Sequence, residues 1–307
     1  MKGDRQNAAK AKGMALLLVL WLVAAMSLVV VASVKGIRQH THLVSLDQGK
    51  LRAEVILDGA IQLVAQQMVF DKTLGRRYQW LQLQLGSNAV WLEVTPASGL
   101  IDLNVANDKV IQALLTNVVG LSLGDALVYM SRIRDWIDPD QEPGGVGGAE
   151  APQYRASGWP SLPRNAAMED PTELRAVLGV TPSQYEIIAP FLSLNGQQRI
   201  EVAAASPAVI DAMTGQPGLG HQLLAIPPDQ RMSILMAQGN DQLFMHDSTG
   251  GETDVRLWAY LSDGSDRWWK REVWISLSAR PDSLMPWTTL QLESTRQAPN
   301  PHKETRP

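Results

Sequence analysis

The run from Met14 to Val34, MALLLVLWLVAAMSLVVVASV, holds no charge across 21 residues and only two hydroxyls, Ser27 and Ser33. As a helix rising about 1.5 Å per residue it covers about 30 Å, the thickness of a hydrocarbon core. It lacks the polar stripe that a helix buried in a soluble domain would carry. Ahead of it, Lys2, Arg5, Lys10 and Lys12 outweigh the single acid Asp4. The positive end is therefore expected to stay cytoplasmic and everything after the helix to lie outside, in the periplasm of a Gram-negative cell.

Three kinds of processing compete for this segment. A secretory signal has a shorter apolar region, about 7 to 15 residues, followed by a small-residue cleavage site. An uncut signal anchor fits the length. The third reading rests on Lys12-Gly13-Met14, where a basic leader ends in glycine directly before the apolar run. This resembles a type IV prepilin leader, in which a peptidase cuts after the glycine on the cytoplasmic face. Cleavage between Gly13 and Met14 would leave the whole apolar helix on the mature chain.

Beyond the anchor, residues 35–70 contain no proline and place Leu51, Val55, Leu63, Val64 and Met68 at helical spacing, with Arg52, Glu54 and Asp58 available for a wet face. The anchor is expected to continue as a helix into the folded domain. After Phe70 the period becomes alternating. Tyr78, Trp80 and then Val90, Leu92 and Val94 predict two antiparallel strands joined by a turn at Gly86-Ser87-Asn88. Helices are expected over 110–115, 123–137, 170–178 and 182–191, and strands over 232–236, 255–261, 268–277 and 287–292. The segment 138–163 reads as a long loop rich in glycine, proline and carboxylates. The tail 294–307 has no apolar period and is expected to be disordered.

This order, with helices between two sets of strands, is explained more simply by an all-α block inserted into one antiparallel sheet than by separate domains. The block carries an internal repeat at an offset of 99 residues. Ile101-Asp102-Leu103-Asn104-Val105-Ala106 before Val110-Ile111 matches Ile200-Glu201-Val202-Ala203-Ala204-Ala205 before Val209-Ile210. Composition narrows the function. No cysteine is present, which removes thiolate metal sites, redox motifs and cysteine nucleophiles. A net charge of -4 gives no broad basic field for nucleic acid. Gly120-Leu121-Ser122-Leu123-Gly124 matches a nucleophile-elbow pattern, but a helix rather than a strand precedes it, and an enzyme is not expected.

Several ordered blocks together resemble the protein K family, the large minor pseudopilins of type II secretion systems. They are Gly13 to Trp21, Ile101-Asp102-Leu103-Asn104, Asp135-Trp136-Ile137-Asp138-Pro139-Asp140 leading to Gly148-Ala149-Glu150, Glu173-Leu174-Arg175 before Leu178-Gly179-Val180, and Ala204-Ala205-Ser206-Pro207 before Val209. The resemblance covers residues 12–215 clearly and the late strands more loosely. It implies an α+β fold, with a pilin-like long N-terminal helix on an antiparallel sheet and an inserted all-α domain. The expected division is a cleaved leader at 1–13, a transmembrane helix at 14–34, periplasmic helix and first strands at 35–100, the insertion at 101–220, the remaining strands at 221–293 and the tail at 294–307.

The same resemblance implies a single-pass inner-membrane protein, cut by prepilin peptidase and N-methylated at Met14. It implies a place at the pseudopilus tip with minor pseudopilins of the I and J classes, and contacts with the major pseudopilin, secreted cargo and the outer-membrane secretin. Pilins usually carry a glutamate at the fifth mature position, whose carboxylate pairs with a neighbour's N-terminal ammonium; here that position is Leu18. The alternatives are an uncleaved membrane-anchored periplasmic binding or enzymatic protein, and a minor pilin of a type IV pilus. Asp138, Asp140, Glu142 and Glu150 lie in a glycine-rich loop after a helix, an oxygen-donor set suited to calcium. The family resemblance implies calcium there too, with Ala151 standing where it expects another acid. A solvated acidic loop is the competing reading.

Overall fold

The computed structural model describes residues 20–27, 48–246, 254–264, 267–278 and 285–301. The chain divides into two units, 1–55 and 56–307. The described part of the first is helical over 20–27 and 48–55. Among the described residues no helix is long and apolar enough to cross a membrane, and the expected span 14–34 lies largely outside them, as do Gly13, Met14 and Leu18. Helix α1, residues 48–70, enters the second unit. From residue 56 onward its buried residues Leu57, Ala60, Ile61, Val64, Ala65 and Met68 recur every three or four positions, the stripe that one flank of a sheet can cover.

The sheet has the strand order β1-β2-β5-β6-β7, with β8 also pairing β6. Its strands are β1 Gln79–Leu85, β2 Asn88–Pro96, β5 Asp254–Ser262, β6 Trp268–Ser276, β7 Thr288–Leu292 and β8 Arg296–Ala298. All its pairings are antiparallel. The β1–β2 turn is the two residues Gly86-Ser87, with Gly86 at φ 58, the positive value that a primed hairpin turn needs. Register puts Val90, Leu92 and Val94 opposite Leu261, Ala259 and Leu257, and these opposite Trp269, Arg271 and Val273. All of these are buried, and all share one face because direct antiparallel partners do. Asp58 of α1 meets Arg271 there, with Oδ1 2.6 Å from Nε, so a buried cation on the apolar face is matched by the helix.

The insertion lies between β2 and β5. Its helices are α2 Asp108–Ala113, α3 Leu123–Ile137, α4 Ala151–Ala156, α5 Pro182–Ile188, α6 Pro207–Thr214, α7 Leu219–Leu224 and α8 Pro228–Ala237, with a short parallel pair β3 Ile200–Glu201 and β4 Phe244–Met245. Its core includes Leu103, Ile111, Ile133, Leu174, Ile210 and Phe244. The fold is thus α+β with a helical insertion whose described residues add β3 and β4.

The repeat is visible in the hydrogen bonds. In the first copy Val105 and Ala106 N–H groups donate to Asp102 O; in the second Ala204 and Ala205 donate to Glu201 O. Asn107 caps α2 at Val110 N, and Ser206, 99 positions on, caps α6 at Val209 N. The two copies pack tightly near Gly99, where a Cβ would stand 2.0 Å from Ala204 O.

The structure differs from the sequence expectations at three places, 232–236, 151–156 and 296–298. Residues 232–236 form part of α8 rather than a strand: the short apolar run alternates ambiguously, and burial of Met232 and Leu235 at a spacing of three decides for the helix. Leu223, Met232 and Phe244 all join the helical core. The tail is not wholly irregular, because Arg296–Ala298 pairs with β6 through backbone bonds that leave no apolar pattern in the sequence. Within the expected loop 138–163, Ala151–Ala156 is helical.

Candidate functional site

Helix α3 begins at Ser122, whose hydroxyl accepts from Asp125 N and donates to Asp125 Oδ2 at 2.7 Å. The elbow-like serine is therefore an N-cap. The helix ends at Asp138, which is extended (φ -72, ψ 154) because Pro139 disfavours the helical region for the residue before it. The last turn aims two carboxylates at the loop that follows. Asp135, 1% exposed, accepts from Gly144 N through Oδ1 at 3.0 Å and from Ala149 N through Oδ2 at 2.6 Å. It clasps both ends of the glycine segment. Side chains are excluded there, since a Cβ on Gly148 would lie 2.1 Å from Gly144 O and 2.4 Å from Asp135 Oδ2.

This clasp returns the chain to α4, entered through Glu150, whose N–H donates to Gln153 Oε1. Buried Tyr154 anchors α4, its hydroxyl accepting from Leu178 N at 2.9 Å, and burial pushes that phenol up to about 12. The result brings one oxygen each from Asp138, Asp140 and Glu150 within 4.8 Å of one another. Glu142 is not in that cluster; it is exposed, and its N–H donates to Asp140 Oδ1. Glu150 is buried, and among the described residues neither of its carboxylate oxygens has a donor in hydrogen-bond geometry, although the Asn165 side chain beside it eases its charge; Asp138 Oδ1 is likewise buried and unmatched. Asn165 donates to the Asp140 carbonyl and closes the far side of the loop.

Burial first, then the neighbouring acids Asp135, Asp138 and Asp140, hold the Glu150 carboxyl above the usual carboxylate range. Asp138 is raised for the same reasons, burial and then Asp140 and Asp135. Buried acids that neither pair with a base nor receive hydrogen bonds cost stability when ionised. An oxygen-seeking cation would satisfy them, and the donor set suits calcium. Sequence reading named the three carboxylates but not Asp135, which organises them. Its signal was its place in the last turn of the expected helix, three residues before Asp138.

The motif residues outside the loop are also explained. Asp102 accepts from Asn104, Asn195 and Gly196 N–H groups, each at 2.9 Å. Asn104 exchanges two hydrogen bonds with the Met168 backbone. The Ile-Asp-Leu-Asn block therefore ties remote loops of the insertion together.

Residues 93–196 match the model of the type II secretion system protein K family. Over that region the chain is similar to protein K of type II secretion systems. The type II secretion system protein K of Pseudomonas aeruginosa is 32% identical over 111 residues, 36% of this chain and 30% of that protein. The type II secretion system protein K of Klebsiella pneumoniae is 24% identical over 213 residues, 62% of this chain and 65% of that protein. The aligned segments thus span less than two thirds of these protein K relatives. A chain of the solved GspK–GspI–GspJ complex from enterotoxigenic Escherichia coli superposes with TM-score 0.52 at 14% identity, covering 85% of this chain and all of that one. At that identity the likeness concerns the fold. The protein K match begins in β2 and runs through the acidic loop, so it contains the feature that sets this fold apart from a plain helix-on-sheet domain.

Proposed function

We propose that the chain is a minor pseudopilin of a type II secretion system, a structural subunit rather than an enzyme. It caps the pseudopilus tip and helps initiate assembly with minor pseudopilins of the I and J classes. The observation that carries this reading is that the matched family region runs from β2 through the acidic loop and α5, the first part of the helical insertion on the sheet. A bulky insertion suits a subunit that has no neighbour stacked above it. Leu18 agrees with that place, because a subunit without the fifth-position carboxylate cannot neutralise the buried ammonium of a subunit added beyond it.

The chain is cut after Gly13, N-methylated at Met14, held in the inner membrane by residues 14–34 with its N-terminus cytoplasmic, and has its folded part in the periplasm. Contacts with the major pseudopilin, cargo and secretin follow from a tip position. Calcium binds Asp138, Asp140 and Glu150, the reading supported by the unmatched buried oxygens of Asp138 and Glu150 beside Asp140. The experiment is purification of the tagged full chain from cells that make all the minor pseudopilins, with mass spectrometry of its N-terminus. The expected result is a chain beginning at Met14 that carries I-class and J-class subunits with it. A chain retaining Lys10 and Lys12 in cells with active prepilin peptidase, or one recovered alone, overturns the assignment.

A further inference from the structure

The sheet face opposite α1 carries Trp80, Glu93, Trp258, Tyr260, Lys270 and Glu272, which register places side by side across β1, β2, β5 and β6. Over it lies a cleft of about 500 Å³, lined also by Ser206, Asp211, His221, Ala298, Pro299 and Pro301. That volume is in the range of ligand sites, about 300 to 1,000 Å³. Trp80 and Tyr260 form a ring pair with centroids 5.6 Å apart. Lys270 Nζ sits 3.1 Å from the centre of the Trp258 ring, and Arg256 Cζ stands 4.5 Å from the same ring.

The unmet valences of this cleft are donors. Among the described residues Lys270 has ring contacts but no hydrogen bond or ion pair. Trp258 Nε1 is buried without an acceptor. The acids, in contrast, are served from within the chain. Glu93 accepts from Tyr78 Oη at 3.0 Å, and Asp211 accepts from Gly218 and Gly220 N–H groups at 2.8 and 2.6 Å. Around Lys270 the two acids Glu93 and Glu272 face the two further cations Arg256 and Arg296, and among the described residues none of the four acids and bases pairs with the lysine. Burial also pushes the Lys270 amine down to about 8, the mark of a cation short of compensation. An incoming group that supplies acceptor oxygens and a negative charge completes the site; one that brings a cation does not.

We propose that this cleft binds a carboxylate carried beside an apolar or aromatic side chain on a partner peptide, with Lys270 Nζ taking the carboxylate and the Trp80–Tyr260 pair supporting its neighbour. The carboxylate belongs to a chain terminus or to an acidic side chain, and the probes separate the two. Equilibrium dialysis of the full chain in detergent micelles uses N-acetyltryptophan, N-acetyltryptophanamide and the capped dipeptide N-acetyl-Trp-Asp-amide. Saturable binding of a carboxylate probe is expected, weakened about tenfold or more in the uncharged amide and about tenfold or more by Lys270→Met, with Lys270→Arg retaining binding to within about threefold. If the acid and its amide bind the unaltered chain alike, if Lys270→Met leaves binding unchanged in a chain that still melts cooperatively, or if no carboxylate probe binds, the proposal fails. Binding of N-acetyltryptophan alone assigns a chain terminus, and binding of the dipeptide assigns an acidic side chain.

Discussion

A single carboxylate organises the acidic loop. Asp135 holds two N–H groups, nine and fourteen residues further along the chain, and leaves its neighbours Asp138 and Glu150 to face each other. Hydrogen bonds to a charged, buried acceptor contribute more than neutral ones, so Asp135→Ala should cost about 2 to 4 kcal/mol and disorder residues 144–149. Chemical denaturation with hydrogen exchange across the loop measures both. A cost under about 0.5 kcal/mol, the ordinary range of surface substitutions, would mean the glycine segment keeps its path without the clasp. Asp135 was in view as part of a family block, yet nothing in its sequence setting distinguishes a clasp from a ligand. The difference is orientation, which the last turn of α3 and the return of Ala149 create together.

Among the elements, the two repeat copies depend on close backbone approach more than on their side chains. Gly99 precedes the first copy and abuts Ala204 of the second, where a methyl group would overlap a carbonyl rather than a movable side chain. Gly99→Ala is expected to destabilise the chain by about 3 kcal/mol or more, seen as a lowered melting temperature, whereas Gly86→Ala, in open space but at positive φ, should cost only about 1 kcal/mol. Equal effects would count against the packing argument. The repeat itself was legible because cap residues and apolar pairs recur at a fixed offset. The α8 helix and β8 strand were not. A short apolar run fits either period, and a polar edge strand is held by backbone bonds that no side-chain pattern records.

For the molecule as a whole, the raised acids of the loop are expected to tie stability to pH and, with the proposed calcium site, to cations. The carboxyls of Asp138 and Glu150 are raised in the folded chain, so protons leave them at higher pH than in the unfolded one. Their stabilising share is full below the ordinary carboxylate range and is lost as pH rises through the raised values. At neutral pH the metal-free chain therefore carries repulsion that calcium should relieve. Thermal melts are expected to shift upward with calcium at neutral pH, by about 2.7 kcal/mol at a free concentration about 100 times the dissociation constant. The gain should shrink as the pH falls and protons fill the same oxygens. A calcium effect that is absent, or that persists undiminished in acid, would separate the loop from cation binding.

Hydropathy and periodicity were enough to read an apolar run of spanning length, the β1–β2 hairpin, the long helix α3 and the alternation of the central strands, because each is written in residues close together in the chain. The ordered blocks also pointed to the protein K family and its inserted helices. Tertiary structure alone decided which carboxylates converge, that Glu142 stays outside the cluster, that Asp58 meets Arg271, and that Lys270 faces a cleft without an ion partner. These are meetings between residues far apart in the chain. Local propensity carries no record of them, since they exist only once the sheet and the insertion have packed.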